Sequence, residues 1–196
     1  MIKLQGKLPN RVYVACSGGV DSMAVVDFLS RKHDVFVLHF NHDTEHGNKA
    51  MQFVEKYCRE KDIPWLTNIP GNTRLKEAKE SQEEYWRNER YKFFHSINAP
   101  IVTAHHLDDC VETWVWSSMH GTGKIIPYRR RHVIRPFRLN RKRDLELWAA
   151  LKQVPFIEDT SNEDIHYTRN YIRHKLMDNA LIVNPGLHKT IARKVK

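Results

Sequence analysis

The chemistry in this 196-residue sequence is concentrated in two short segments. SGGVDS, residues 17–22, follows the apolar run RVYVAC and precedes the helix-forming MAVVDFL. Adjacent glycines let backbone approach a ligand without Cβ interference, and the unpaired N–H groups opening the next helix present a positive dipole end. Ser17, Gly18, Gly19, Val20 and Ser22 therefore form a candidate anion cradle. Asp21 fits such a cradle only with a cation between its carboxylate and a phosphate, which implies Mg²⁺ at Asp21. The plainer alternative is a strand-to-helix turn capped by Asp or Ser. The second segment, HHLDDCVET at 105–113, supplies His105, His106, Asp108, Asp109 and Glu112 where a strand gives way to a helix. Asp109 and Glu112 are i,i+3 and Asp108 and Glu112 are i,i+4, so the carboxylates share one helix surface. They either converge on one ligand-binding surface or simply complement the helix dipole.

Both segments need a scaffold that brings them together. Apolar runs predict strands at 11–16, 35–41, 65–69, 101–104 and 132–136, alternating with helices at 22–32, 49–61, 81–97 and 107–119. This is an α/β pattern: a parallel five-stranded sheet in the order 3-2-1-4-5 with helices on both faces. Such sheets bind ligands beyond the C-terminal strand ends where the strand order reverses, between strands one and four. The two segments would then form opposite lips of one crevice, suited to Mg²⁺ and an amine together. A helix at 144–151, a turn-rich stretch at 154–164 and a basic helix at 169–178 predict a small C-terminal helical appendage. The expected division is an α/β unit over 1–140 with 141–196 as a helical extension of the same domain.

Composition narrows the class. The chain is long enough to bury a core without disulfides, and Cys16, Cys58 and Cys110 form no CxxC pair, against a zinc ribbon or an iron–sulfur site. No run approaches the roughly 20 apolar residues of a membrane span, and MIKLQGKLPN lacks a secretory apolar core; a soluble, cytoplasmic protein is expected. GxxxxGK[ST] and GxGxxG are both missing, which disfavours a Walker ATPase and a Rossmann dehydrogenase. His39, His42 and His46 lack a recognisable fourth zinc ligand. The net charge is +9, with the excess mostly in the second half. Arg129, Arg130, Arg131, Arg135, Arg138, Arg141, Lys142 and Arg143 follow one another without an acidic residue over 129–143. Solvation can relieve their repulsion; a nucleic-acid backbone does so by releasing counterions.

SGGVDS resembles the PP-loop of the ATP pyrophosphatases, which cleave ATP between its α- and β-phosphates and transfer AMP. Within that superfamily HHLDDCVET resembles the HHxDDxxET signature of the tRNA(Ile)-lysidine synthases. LHFNH at 38–42, WRNERY at 86–91, RPF at 135–137, DTSNED at 159–164 and YTRNYIR at 167–173 extend the likeness over nearly the whole chain. The resemblance implies an adenine nucleotide α-hydrolase-like fold in a short form without the usual C-terminal domains. It implies that ATP activates the 2-carbonyl oxygen of the wobble cytidine in a CAU-anticodon isoleucine tRNA, and that free L-lysine displaces AMP to give lysidine.

The roles that follow are pyrophosphate binding by Ser17, Gly18, Gly19 and Ser22, and Mg²⁺ at Asp21. Asp109 and Glu112 would hold the lysine amine. His39 and His105 would lie on the ATP side, and Arg87 would steady phosphate or adenylated base. Asn170 and Arg173 match family positions near the reaction centre. The implied tRNA contacts are Arg129, Arg130, Arg131, Arg135, Arg138, Arg141, Lys142, Arg169 and Arg173, with Tyr128, His132, Phe137, Tyr167 and Tyr171 as candidate stacking partners. Cys110, where the family often has Gln, and HGTG at 120–123 depart from the pattern. The alternatives are another PP-loop adenylating enzyme acting on a different RNA base or small amide, and an RNA-binding relative without turnover.

Overall fold

A computed structural model describes residues 2–68, 76–77, 79–158, 164–166 and 168–196. Its centre is a sheet of β1 (Arg11–Ala15), β2 (Asp34–Phe40), β3 (Trp65–Asn68), β4 (Ile101–Val102), β5 (Arg129–Arg130) and β6 (Val133–Ile134). The order is β3-β2-β1-β4-β6-β5, parallel except for β5, which runs antiparallel to β6. The expected order therefore holds with β6 in the fifth place, and an edge strand is added. Sequence periodicity misses β5 because an Arg-Arg pair carries no apolar alternation.

Period-two burial decides which helices cover which face. Val12, Val14, Val35 and Val37 pack with Met23, Val26 and Leu29 of α1 (Val20–Ser30), Val54 and Tyr57 of α2 (Glu45–Glu60), and Leu145 and Ala149 of α5 (Lys142–Lys152). Leu38, Phe40, Ile101 and Val133 face the other way, toward Phe93 and Phe94 of α3 (Gln82–Ser96). The strand order reverses between β1 and β4, which are direct neighbours.

A further apolar cluster joins α4 (Leu107–Met119) to the C-terminal segment. The expected single helix at 169–178 is instead α6 (Thr168–Tyr171), a π-helical turn over Ile172–Leu176, and α7 (Met177–Val183). It is followed by α8 (Leu187–Lys194), which sequence reading did not assign. Its signal is Leu187, Ile191 and Val195 at helical spacing, all buried beside Val111 and Val115 of α4. Residues 141–196 thus divide between two cores, α5 on the α1 side and α7 and α8 against α4. Cys16, Cys58 and Cys110 are buried free thiols. No described helix is long and apolar enough to cross a membrane.

Candidate active site

β1 ends at Ala15, and the chain turns through Ser17 to Gly19 into α1. Gly18 has φ +90°, a conformation that favours glycine, and a Cβ there would lie 3.0 Å from the Ile157 side chain, which would have to shift. Its carbonyl accepts a 2.9 Å hydrogen bond from the Ile157 amide, which docks the turn-rich C-terminal stretch onto the loop. Ser22 braces the loop: its hydroxyl accepts from the Ser17 amide at 3.1 Å and donates to the Gly19 carbonyl at 2.9 Å. Gly19 is the N-cap of α1, with no side-chain cap. The amides opening α1 are thereby left for a ligand, as an anion cradle requires.

The opposing lip is built differently. His106 is the N-cap of α4: its Nδ1 accepts from the Asp109 amide, and its own amide donates 2.9 Å to Asp109 Oδ2. With Nδ1 accepting, the neutral ring carries its proton on Nε2, which lies 3.6 Å from Asp21 Oδ2. Nδ1 is 3.5 Å from Asp109 Oδ2 and 3.7 Å from Asp108 Oδ2. A single buried imidazole thus spans Asp21 and Asp109, 88 residues apart in sequence. Burial opposes charge on His106, but Asp109, Asp21 and Asp108 outweigh it and hold its pKa above the ordinary value.

The acidic residues are already partnered. Asp109 Oδ1 accepts from Arg169 Nη2 at 2.6 Å. Glu112 accepts from Arg173 Nε at 2.8 Å and Nη2 at 3.1 Å, and from Arg169 Nε at 3.4 Å. Asp108 takes the Lys142 amide at 2.7 Å and Arg141 Nε at 3.1 Å, and lies 3.0 Å from His188 Nε2. Burial pushes the Asp109 carboxyl up, but His106, Arg169 and His105 bring it well below the usual carboxylate range. Desolvation works to lower the Arg169 pKa, yet Asp109 and Glu112 keep its guanidinium above the ordinary value.

His39 beside the first lip and His105 at the start of the opposing one are neutral. Burial lowers His39, whose Nδ1 lies 2.9 Å from the Cys16 carbonyl, leaving Nε2 buried without a hydrogen-bond partner. Burial takes His105 down to about 3, with Nδ1 2.8 Å from Thr103 Oγ1. Asp21 Oδ1 is also buried without a partner. A carboxylate oxygen left over at a phosphate-type cradle fits a hard cation such as Mg²⁺. The His39, His42 and His46 group forms no metal cluster among the described residues.

The expected RNA contacts separate by position. Arg129, Arg130, Arg131 and Arg143 are exposed. Arg135 and Arg138 are not: both are buried, Arg135 donating to the Pro127 carbonyl and Tyr91 hydroxyl, Arg138 to the Ile126 and Val195 carbonyls and Gln5 Oε1. They hold backbone together, which removes them from the surface. Arg141 serves Asp108 with its side chain and Lys142 only with its backbone amide, the Lys142 amine lying 3.6 Å from Glu146; Arg169 and Arg173 serve Asp109 and Glu112. Arg87 is exposed, its guanidinium 5.1 Å over the Tyr91 ring, and does not join the carboxylates. Arg90, one turn on, lies close enough to Arg169 for their charges to oppose each other. Phe137 is fully buried and cannot stack on a base, Tyr171 is exposed, and Tyr167 lies outside the described residues, as does most of DTSNED. Asn170 Nδ2 donates to the Asp164 carbonyl. His106 and His188 are the residues to which sequence reading gave no role; His106 stood in the motif, whereas His188 shows only once α8 is packed.

A parallel sheet with an uncapped glycine-rich helix start facing a carboxylate lip at its switch point defines a nucleotide-binding α/β protein. The chain belongs to the PP-loop domain family, whose model matches residues 2–180. It is 32% identical over 200 residues to a tRNA(Ile)-lysidine synthase from Thermotoga sp. (strain RQ2), covering 94% of this chain and 48% of that relative. It is 33% identical over 211 residues to the Thermosipho africanus tRNA(Ile)-lysidine synthase, covering 95% and 48%. The chain thus spans about half the length of these relatives. Among solved structures, the U34-tRNA thiolase of Methanococcus maripaludis shares the fold at TM-score 0.76 and 14% identity, covering 96% of this chain and 72% of that one.

Proposed function

We propose that this chain is an ATP-dependent tRNA-modifying ligase of the lysidine-synthase type, joining the amine of L-lysine to the wobble cytidine of a CAU-anticodon isoleucine tRNA. The observation that carries the reading is His106 spanning Asp21 and Asp109, because it supports one crevice holding both the phosphate cradle and the amine site. The identity to lysidine synthases over nearly the full chain supports the RNA substrate. In the first step the cytidine 2-oxygen attacks the α-phosphorus of ATP, the bond to the β-phosphate oxygen breaks, and pyrophosphate leaves. The uncapped amides of α1 with Ser17 hold that leaving group, while the neutral Nε2 of His39 offers an acceptor to an amino group such as adenine's. Asp21 is the residue to hold Mg²⁺, which when bound offsets charge on the phosphates.

In the second step the lysine amine attacks C2 and AMP leaves with its oxygen. The amine arrives protonated and must lose a proton to attack; Asp109 and Glu112 are the carboxylates that hold it, and one of them accepts that proton. Arg169 and Arg173 already neutralise both, so the ammonium competes with guanidinium; Arg169, about half exposed, is the partner that yields most readily.

The test is pyrophosphate release with ATP, Mg²⁺ and tRNA, followed by mass spectrometry of the nucleosides after adding each amino acid separately. Release that requires tRNA, and a lysine adduct on cytidine, are expected. Asp21→Ala lowers release by about 10³-fold or more with circular dichroism unchanged. Full activity in that variant removes the role given to Asp21, and an adduct with another amine or base moves the protein to another adenylating reaction.

A further inference from the structure

The β5–β6 hairpin places three consecutive arginines on an exposed sheet edge. Arg129 and Arg130 form β5, and Arg131 turns the chain with φ +54°, a left-handed conformation that glycine or asparagine adopts more cheaply. Arg129 Nε donates 2.9 Å to the Arg131 carbonyl, which holds its side chain across the turn. Behind the turn the hairpin is pinned: the Arg135 amide donates to the Tyr128 carbonyl, and Arg135 and Arg138 anchor the carbonyls of Pro127 and Ile126. Among the described residues none of Arg129, Arg130 and Arg131 is in an ion pair. The His95 and His132 rings lie 6.0 Å apart beside the turn and bring no negative charge to it. Burial first, then Arg131, His132 and Arg130, push His95 below its ordinary pKa, so both arginines lie close enough to act on it.

The direction of the strands places this charge. β6 is parallel to β4 and β4 to β1, so the turn that precedes β6 lies at the end of the sheet opposite the crevice. Ile101, paired with Val133, is four residues before His105, so the turn stands on the order of 13 Å from the crevice lip at about 3.3 Å per residue. Four base pairs of a nucleic-acid duplex span roughly that distance.

We infer that Arg129, Arg130 and Arg131 form a second RNA contact, remote from the reaction centre, that grips the phosphate backbone of the duplex stem adjoining the modified loop. The inference rests on the RNA substrate proposed above. The contact reads charge and spacing rather than base identity, so it sets affinity and salt dependence for any stem long enough to reach it.

The test compares the wild-type chain with R129A/R130A/R131A on two RNAs, the full tRNA and its anticodon loop trimmed to two base pairs. All three side chains are exposed, and an unchanged urea midpoint is the control for folding. On full tRNA the variant binds about tenfold more weakly at physiological salt, and the slope of log K against log salt flattens by about 2 to 3. On the trimmed RNA the two proteins bind alike. Equal loss on both RNAs overturns the remote placement, and equal affinity and slope on full tRNA overturn the contact altogether. Loss of heparin binding with tRNA binding intact assigns the patch to another polyanion and likewise overturns it. A wild-type chain that binds neither RNA rejects the RNA substrate itself, an outcome distinct from all of these.

Discussion

The crevice and the β5–β6 hairpin are both rich in charge, but they handle it in opposite ways. In the crevice each carboxylate of the α4 lip has a cationic partner from the C-terminal segment: Asp108 with Arg141, Asp109 with Arg169, Glu112 with Arg173, and His188 Nε2 lies 3.0 Å from Asp108 as well. On the hairpin three arginines have no acidic partner among the described residues. Compensation in a partly buried site positions groups and holds a pKa, whereas uncompensated charge at a solvated edge attracts a mobile polyanion. Arg135 and Arg138 complete the contrast, since they belong to the same arginine-rich run yet are spent on carbonyls inside the protein.

The largest effect is expected where the compensated charge meets chemistry. Glu112→Gln keeps the shape of the side chain but removes the charge that binds Arg173 and that is proposed above to hold the ammonium. Lysine addition should fall about 10³-fold, while tRNA-dependent pyrophosphate release persists, as measured by following the two half-reactions separately. Equal loss in both half-reactions would show that Glu112 organises the whole crevice rather than the amine site.

The next effect is on stability. Arg138→Met removes a buried guanidinium that joins residue 126 to both chain ends through Gln5 and Val195. It leaves those acceptors unpaired, lowering stability by about 3 kcal/mol in urea unfolding. The tRNA affinity of the folded variant should match the wild type. A weakened affinity with intact stability would return Arg138 to the RNA surface and erase the division within the run.

How much of this was legible in the sequence depended on the kind of signal. β1, β2 and α4 were legible because long apolar runs and a glycine pair or a histidine pair mark their ends. The nearness of SGGVDS to HHLDDCVET followed from the switch-point rule applied to alternating elements. The arginine run was misread in part because charge along a chain does not report burial, and only packing separates Arg131 from Arg135 four residues later. The sequence places Arg169 among the RNA contacts, and Arg173 both there and, by resemblance, near the reaction centre. Their i,i+4 spacing shows that they share a helix face, but not that the face meets Asp109 and Glu112, since that depends on a long-range contact of the C-terminal segment with α4. His188 was invisible for the same reason: α8 is short and basic, and its value lies in what it packs against.

The smallest effect tests whether compensation in the crevice is energetic. Burial pushes the Asp108 carboxyl up, but His188, the Lys142 amide and Arg141 together hold it well below the usual carboxylate range. A carboxyl with a depressed folded pKa contributes stability above its unfolded value, near 4, and loses it as pH falls through the folded value. Asp108→Asn should therefore be less stable than the wild type by about 2 kcal/mol at pH 7, with Arg141 partly solvent-screened. That difference should shrink steadily as urea unfolding is repeated from pH 5 downward, because acid protonates the wild-type carboxyl and leaves the amide untouched. Asp109 is depressed in both proteins and cancels from the comparison. A difference that stays constant from pH 7 to pH 3 would assign the loss to shape and hydrogen bonding alone. The charges of the α4 lip would then be as free energetically as those of the hairpin.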